Sequence, residues 1–135
     1  CEARQADADQ ALQLGIAIGD TLFYSQIVHY ENNVPVQIED RFVNPETAPD
    51  YLRQVLNKQT PYTYLMDIAP LTAGEHRVEA ISASDEQRHL LQLEEHEPCL
   101  LIHRRTWSGS RVVTSARLIY PGSRYQLFGR FTSHG

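Results

Sequence analysis

Polar and charged side chains that could bind a small ligand recur along the parts of this sequence that have strand character. Such groups orient a small polar ligand by hydrogen bonds and charge when they line an otherwise apolar pocket. The alternative is a half-solvated antiparallel sheet in which the same side chains face water. The residues concerned are His29, Glu39, Arg41, Glu79, Arg104, Arg105, Thr114 and Tyr120.

Signatures of catalysis and of cofactor binding are missing from the sequence. Gly15 and Gly19 fit neither a phosphate-binding loop nor a dinucleotide fingerprint, and no Gly-x-Ser-x-Gly elbow occurs. No two of the six histidines have a metal-ligand spacing on one helix. Cys1 and Cys99 are too few for a zinc site or a disulfide framework. We therefore expect no metal, no cofactor and no enzyme activity.

The charge balance bears on the partners of the chain. Its 135 residues carry a formal net charge of −5, whereas a protein that grips the phosphate backbone of DNA needs a basic surface. Any nucleic-acid role must then belong to a partner or to a missing segment. The sequence begins at Cys1 without an initiator Met, as if cut from a longer protein, and we expect a missing N-terminal domain.

Length and composition indicate one folded domain. Hydrophobic residues make up 41% and charged residues 21% of the chain, which is near the average for globular proteins. No apolar run approaches the ~18 residues that cross a bilayer, and the N-terminus lacks the basic-then-apolar layout of a signal peptide. We expect a cytosolic domain without membrane contact.

Runs rich in β-branched and aromatic residues predict the strands of a sheet. Asn32 and Asn33 tolerate the left-handed conformation that a tight hairpin turn needs, and Gly109 marks a second hairpin. Because side chains alternate along a strand, Glu39 and Arg41 should share one face, opposite Asp40. The predicted strands are Leu22–Tyr30, Val34–Val43, Glu75–Ile81, Pro98–Trp107, Val112–Tyr120 and a last piece folding back over Tyr125–Arg130.

Helix signals fall between these strands. Two stretches that begin at Thr47 and Ser84 have the capping-box layout, and Gly15 is placed to end a first helix. The predicted helices cover residues 6–14, 48–57, a short segment from Thr60 to before Pro70, and 84 to about 96.

This order of elements predicts an α+β fold: a six-stranded antiparallel sheet with helices inserted between strand pairs. In the third helix Tyr62 and Tyr64 could reach into a cavity, or lie at its boundary with rings buried and hydroxyls in water.

Several segments together resemble the UTRA ligand-sensing domain of GntR-family transcription regulators and, within that family, the HutC subfamily. The resemblance runs from about Gly15 to Phe131, and its specificity lies in the joint order of the segments. These segments are Glu39–Pro45, Thr60–Leu65, Val78–Ala80, Pro98–Trp107 and Tyr120–Tyr125.

The resemblance implies a chorismate-lyase-like fold, a homodimer, and an N-terminal winged-helix domain that is absent here and would bind operator DNA. Residues 1–14 would then be a linker or N-terminal helix, and residues 15–135 the ligand-sensing domain. It also implies a small-molecule inducer, urocanate or a related imidazole carboxylate, whose binding would weaken operator binding by linkage.

The resemblance also implies site residues. His29, Glu39, Thr114 and Tyr120 match the family's pocket, while relatives that sense sugar phosphates carry Arg-x-Arg where this chain has Ile27-Val28-His29. We expect Arg41 or Arg105, and after them Arg104, to pair with the ligand carboxylate. Glu39 or Glu79, with Tyr120, would bind the imidazole, and Tyr64 completes the predicted set.

Two other functions remain open at this point. One is an enzyme of the chorismate-lyase type that acts on a small aromatic acid, because that fold binds such acids. The other is a dimerisation module with no ligand.

Overall fold

The computed structural model describes residues 1–54 and 60–132. The sequence folds there into six strands and four helices. The strands are β1 Glu2–Gln5, β2 Thr21–Glu31, β3 Val34–Val43, β4 Ala73–Ser82, β5 Pro98–Ser108 and β6 Arg111–Pro121. The helices are α1 Ala8–Leu14, α2 Tyr51–Gln54, α3 Pro61–Ile68 and α4 Asp85–Leu91.

The six strands form one antiparallel sheet in the order β1-β2-β3-β6-β5-β4. This confirms the predicted α+β fold with a six-stranded antiparallel sheet. Both predicted hairpin turns are present: Asn32 and Asn33 have φ of 51° and 65°, and Gly109 has φ of 62°. No helix in the described ranges is long and apolar enough to cross a membrane.

The strand register gives the sheet two unlike faces. Residues directly opposite each other on neighbouring strands point to the same side. One side, here called the Glu39 face, carries the row Ser25, Arg41, Ala116, Arg104 and His76, which crosses β2, β3, β6, β5 and β4. The other side is called the Ile38 face.

Helices α1 and α4 cover the Ile38 face. Leu91 of α4 is fully buried against Ile38, Leu101 and Ile119. Leu14 of α1 packs in a second cluster with Leu22, Tyr24 and Phe42. The apolar residues of this face therefore hold the two helices that lie on it.

Helices α2 and α3 lie on the Glu39 face. Tyr51 of α2 and Leu65 of α3 are buried with Val43, Ala48 and Val113. Further along the same face, Ile102, Ala116 and Leu118 are buried in a cluster with Tyr120 and Tyr125. Between the strands and α3 the polar row lies beside a cleft.

Local capping explains where two helices begin. Asp7 and Gln10 form a capping box on α1, and Ser84 and Gln87 form the predicted one on α4. Gly15 ends α1 in the left-handed conformation with φ of 66°, as predicted.

The C-terminus of α4 is capped by a residue that is distant in sequence. The guanidinium of Arg124 donates to the carbonyl oxygens of Leu91, Gln92 and Pro35 at 2.7, 3.1 and 2.9 Å. A cation at a helix C-terminus satisfies orphan carbonyls and interacts favourably with the helix dipole.

Some predicted boundaries were wrong. Strand β1, Glu2–Gln5, pairs with β2 and was not predicted from the sequence. The strand predicted over Tyr125–Arg130 is not formed. Tyr125 instead stacks on Tyr120, with ring centroids 3.8 Å apart.

The bounds of two helices differ from the prediction. Helix α4 ends at Leu91 because Gln92 adopts the left-handed conformation. Helix α2 begins at Tyr51, since the Thr47 hydroxyl bonds the carbonyl of Asn44 in a turn. The rest of the predicted helix 48–57, from residue 55 on, lies outside the described residues.

The acidic residue among the apolar positions of β3 has a structural explanation. Asp40 Oδ1 accepts hydrogen bonds from the Tyr24 hydroxyl at 2.8 Å and from Gln26 Nε2 at 2.9 Å. The carboxylate is therefore satisfied by its neighbours on β2.

We predict that Gly122→Ala destabilises the fold, because an added Cβ would lie 2.6 Å from the carbonyl oxygen of Pro98. Relief of that overlap requires backbone movement where β6 ends, which costs about 1–3 kcal/mol. Urea denaturation followed by circular dichroism measures the change. Gly74→Ala is the matched control, since its Cβ would make only an ordinary contact of 3.9 Å. Equal stabilities of the two variants would contradict this account.

Candidate functional site

A buried ion pair lies at the centre of the Glu39 face. Arg41 Nε donates to Glu39 Oε2 at 3.0 Å, and the two residues are only 2% and 6% exposed. The other carboxylate oxygen, Oε1, lies 3.1 Å from His29 Nε2. Arg41 Nη1 also donates to Thr114 Oγ1 at 3.2 Å, so three strands meet in one hydrogen-bonded cluster.

The contacts of Glu39 with His29 and Arg41 determine the protonation state of its carboxyl group. Burial alone would raise the pKa of Glu39, but the hydrogen bond from His29 and the guanidinium of Arg41 together hold that pKa below its ordinary value. Glu39 is therefore a carboxylate at neutral pH, matched by a cation that it contacts directly.

A second hydrogen bond supports the cluster from the side of α2. The hydroxyls of Tyr51 and Ser25 are 2.8 Å apart, and both residues are fully buried. Burial raises the pKa of Tyr51 to about 12, so this hydroxyl stays protonated. Because Ser25 lies directly opposite Arg41, this contact fixes α2 over the same row of the sheet.

A cleft opens beside the cluster in two connected parts. The outer part, of about 280 Å³, is lined by Tyr62, Leu71, Gly74, His76, Arg104 and Thr106. The inner part is a crevice of about 10 Å³ between the sheet and α3, where Arg41, Thr114 and Arg104 face Leu65 and Met66. The inner crevice is about the size of one water molecule.

Among residues 1–54 and 60–132, Arg104 is the one cation that lines both parts of the cleft. Its Nε donates to His76 Nε2 at 2.9 Å. That nitrogen must accept the bond, so His76 is neutral with its proton on Nδ1. Burial and the charge of Arg104 both lower the pKa of His76, which keeps it neutral.

The two arginines of this face stand in one row. Arg41 and Arg104 are both directly opposite Ala116, one on each side of it. Ala116 itself is buried, in a cluster with Ile102 and Leu118. Arg41 and Arg104 both line the inner part of the cleft, so an anion that entered there would meet two guanidinium groups.

The structure brings together four of the predicted site residues, namely His29, Glu39, Arg41 and Thr114. Tyr120 lies on the same face, but its hydroxyl accepts a hydrogen bond from Gln37 at 2.7 Å and its ring is stacked on Tyr125. Tyr64 packs against Tyr51, with ring centroids 6.3 Å apart, and forms part of the wall behind the cluster.

Two predicted residues lie on the other side of the sheet. Glu79 and Arg105 belong to the Ile38 face, where Glu79 Oε1 is 3.0 Å from His103 Nε2 and Arg105 pairs with Glu75. They cannot line the cleft on the Glu39 face. Of the three arginines considered from the sequence, Arg41 and Arg104 line the cleft, although Arg104 was expected only after Arg41 and Arg105.

Sequence reasoning found only part of the outer wall. Tyr62, considered from the sequence as a residue that could reach into a cavity, lines it, but so do His76 and Leu71, which were missed. Of those two, His76 offered a signal, because it shares the parity of Val78 and Ala80 along β4. Linking that parity to Arg104 required the register between β4 and β5, which the sequence does not supply.

The chain is similar to known proteins over nearly all of its length. The model of the family described as "UTRA domain" matches residues 1–126. Over 127 residues the chain is 61% identical to a histidine utilization repressor of Pseudomonas putida, covering 94% of this chain and 51% of that protein. A repressor of the same name from Klebsiella aerogenes is 55% identical over 132 residues, covering 98% of this chain and 55% of that protein. The chain thus spans about half the length of the curated relatives it matches.

Solved structures agree with the fold. The C-terminal domain of the histidine utilization repressor from Pseudomonas syringae pv. tomato superposes with a TM-score of 0.92 at 57% identity, covering 98% of this chain and 94% of that chain. PhnF from Mycobacterium smegmatis has a TM-score of 0.88 at 16% identity, covering 98% and 60%, which shows a shared fold. The relatives are named as repressors, in agreement with the prediction of a regulator and not an enzyme. On the match over residues 1–126 and these identities, the chain belongs to the UTRA domain family.

Proposed function

We propose that this chain is the effector-binding domain of a transcriptional repressor of histidine utilization, and that its cleft binds urocanate or a related imidazole carboxylate. The observation that carries the proposal is that Arg41 and Arg104, from two strands of one row, both line the inner part of a cleft on the Glu39 face. Operator DNA would be bound by a part of the protein outside this chain.

The cleft has a cationic end suited to a carboxylate. Arg104 reaches both its outer and inner parts, and Arg41 and Thr114 line the inner one. Both oxygens of Glu39 are already bonded, to His29 and to Arg41. Arg41 is thereby neutralised, so Arg104, whose contact is the neutral His76, is the cation left for a ligand carboxylate.

The outer cleft suits the other end of the ligand. Tyr62 and Leu71 offer a planar ring and an apolar side chain, and Thr106 offers a hydroxyl. A flat imidazole between them would keep its ring against apolar surface and its N–H groups near polar atoms. In this pose the carboxylate points inward to Arg104 and the imidazole stays near the mouth.

The crevice beneath α3 supplies a route from binding to a change of shape. It holds about 10 Å³, and its far wall is α3, through Tyr62, Leu65 and Met66. A carboxylate larger than one water molecule can enter only if α3 moves away from the sheet. A ligand that prefers this open form shifts the population toward it, and operator affinity changes by the same coupling factor.

We predict that Arg104→Gln weakens urocanate binding to this chain by roughly 10- to 100-fold, the range expected when a charge-assisted hydrogen bond is lost. Isothermal titration calorimetry measures the affinity. Arg105→Gln is the matched control, because its side chain lies on the opposite face and pairs with Glu75; its affinity should be unchanged.

Two further ligands test which end of urocanate contacts Arg104 and which lies near the mouth of the cleft. Imidazole alone lacks the carboxylate and should bind the original sequence and Arg104→Gln equally weakly. Cinnamate keeps the carboxylate on a planar ring, and its affinity should fall in Arg104→Gln as that of urocanate does. If urocanate gives neither heat nor a thermal shift at millimolar concentration, the chain is not its sensor and the dimerisation module becomes the better description.

We predict that Arg41→Met destabilises the domain by about 3–5 kcal/mol at pH 7, because it leaves the Glu39 carboxylate buried without its cation. The double variant Glu39→Gln with Arg41→Met should lose much less than the sum of the single effects. Urea denaturation of the four proteins measures this coupling, and strictly additive losses would contradict a direct ion pair.

The same pair predicts a pH dependence. The pKa of Glu39 is lower in the folded state than its ordinary value of 4.5, so the stabilisation is complete above that value and is lost as pH falls through the lower, folded-state pKa. The unfolding free energy should therefore fall below pH 4.5 in the original sequence, with a smaller fall in Glu39→Gln. Identical acid profiles would show that Glu39 does not contribute.

A further inference from the structure

The Ile38 face contains a cavity that the proposed function does not use. It has a volume of about 160 Å³ and lies between α1 and the sheet. A space of this size holds a group several times larger than a water molecule. Its lining includes Asp9 and Gln13 from α1, and Phe42, Arg77, His103 and Arg117 from the sheet.

Three basic side chains cross the sheet side of this cavity in one row. Arg117 on β6 is directly opposite His103 on β5, and His103 is directly opposite Arg77 on β4. Because neighbouring strands are about 4.8 Å apart, the Cα atoms of the two arginines are about 10 Å apart, with the histidine between them. Like charges opposite each other on neighbouring strands destabilise a sheet. A row that breaks this rule is expected where its residues serve a function.

The carboxylates on neighbouring positions of the same face are bonded to other groups. Asp40 is directly opposite Arg117, but its Oδ1 already accepts two hydrogen bonds from β2. Glu75 and Glu79, on either side of Arg77 along β4, pair with side chains of β5. Within residues 1–54 and 60–132 neither arginine of the row forms an ion pair. Two positive charges without a counter-charge therefore line the cavity.

We propose that this cavity binds a phosphate group, either as inorganic phosphate or as a phosphate monoester. A phosphate monoester carries a charge of about −1.5 to −2 at pH 7 and three strong acceptor oxygens. That charge matches the two arginines, and the three oxygens match one donor from each of Arg117, His103 and Arg77. A single carboxylate has one charge and two oxygens, so it would leave one arginine uncompensated.

The remaining lining suits the organic part of an ester. Phe42 and Ser115 are directly opposite each other on β3 and β6, and both line the cavity. They offer an aromatic ring for apolar contact and a hydroxyl for a hydrogen bond. The carboxylate of Asp9 repels an anion, so the phosphate belongs beside the arginine row and not beside α1.

This site is separate from the cleft on the Glu39 face. Ser115 and Arg117 alternate along β6 with Thr114 and Ala116, which belong to the other side of the sheet. A ligand in one site cannot contact a ligand in the other, because the sheet lies between them. We therefore expect saturating urocanate to leave the phosphate affinity unchanged.

Isothermal titration calorimetry in a phosphate-free buffer of constant ionic strength tests the site, with inorganic phosphate and phenyl phosphate as the probes. Arg117→Gln and Arg77→Gln should each weaken binding by about 10-fold or more, as expected for the loss of a charge-assisted hydrogen bond. Arg111→Gln is the matched control, because this exposed arginine lies on the β5–β6 hairpin and pairs with Glu46. Its affinity should be unchanged, and thermal melts verify that each variant is folded.

A variant of opposite sign separates binding from a structural effect. Asp9→Asn removes the acidic group from the first turn of α1, which weakens its interaction with the helix dipole. The same change removes a negative charge from the cavity, so phosphate should bind about threefold more tightly. A purely structural role of Asp9 would not raise the affinity.

The two probes identify the source of the phosphate group. Phenyl phosphate that binds at least about tenfold more tightly than inorganic phosphate would assign the site to a monoester whose ring packs on Phe42. Equal affinities would assign it to inorganic phosphate.

Three outcomes would overturn the proposal. One is the absence of heat from both probes at millimolar concentration. Another is binding that neither Arg77→Gln nor Arg117→Gln weakens. The third is displacement of phosphate by urocanate, which would put the anion in the cleft at Arg104. The titrations of the single probes need no urocanate, so they decide this proposal even if the proposed function fails.

Discussion

The buried pair of Glu39 and Arg41 is the interaction on which the arrangement of this domain depends. A carboxylate and a guanidinium removed from water need each other and further hydrogen bonds, or the desolvation cost is not offset. Those further bonds come from His29 on β2 and Thr114 on β6. The central strand is therefore held in register on both sides, because a slip of one residue would carry the pair to the face where α1 and α4 pack.

The two faces of the sheet are covered in different ways. The Ile38 face is mostly closed by apolar contacts with α1 and α4. On the Glu39 face, α2 and α3 cover one end, Tyr125 packs over the cluster of Ile102, Ala116 and Leu118, and the polar row lies beside a cleft. Strands that are rigidly held from behind can keep the charged groups of such a row in place even if α3 moves relative to them.

Local signals in the sequence were sufficient for most elements, because turns and caps are decided by nearby residues. The asparagine pair of the first hairpin, Gly109 of the second and the capping box at Ser84 each have a mechanism that acts over a few residues. The strand Glu2–Gln5 could not be predicted in this way. It has little apolar content, all four residues are exposed, and only its pairing with β2 makes it a strand.

The part of the site that depends on local alternation could be predicted from the sequence, and the part that depends on strand pairing could not. Alternation along β3 put Glu39 and Arg41 together from the sequence alone. The choice between Arg104 and Arg105 depends on which parity of β5 faces the same side as Glu39, and that is a property of strand pairing between β5 and β6. Resemblance to a family supplied the positions of His29, Thr114 and Tyr120, but not the contact of Tyr125 that covers Tyr120.

The capping of the α4 C-terminus by Arg124 has a consequence for how the chain folds during synthesis on the ribosome. The carbonyls of Leu91 and Gln92 are completed by a side chain more than thirty positions downstream. Until that residue has left the exit tunnel, this helix lacks its terminal donor and the first hairpin lacks its tie at Pro35. The nascent domain thus reaches its finished form only after Arg124 has emerged, and a product released before that point would present a frayed helix end to proteases.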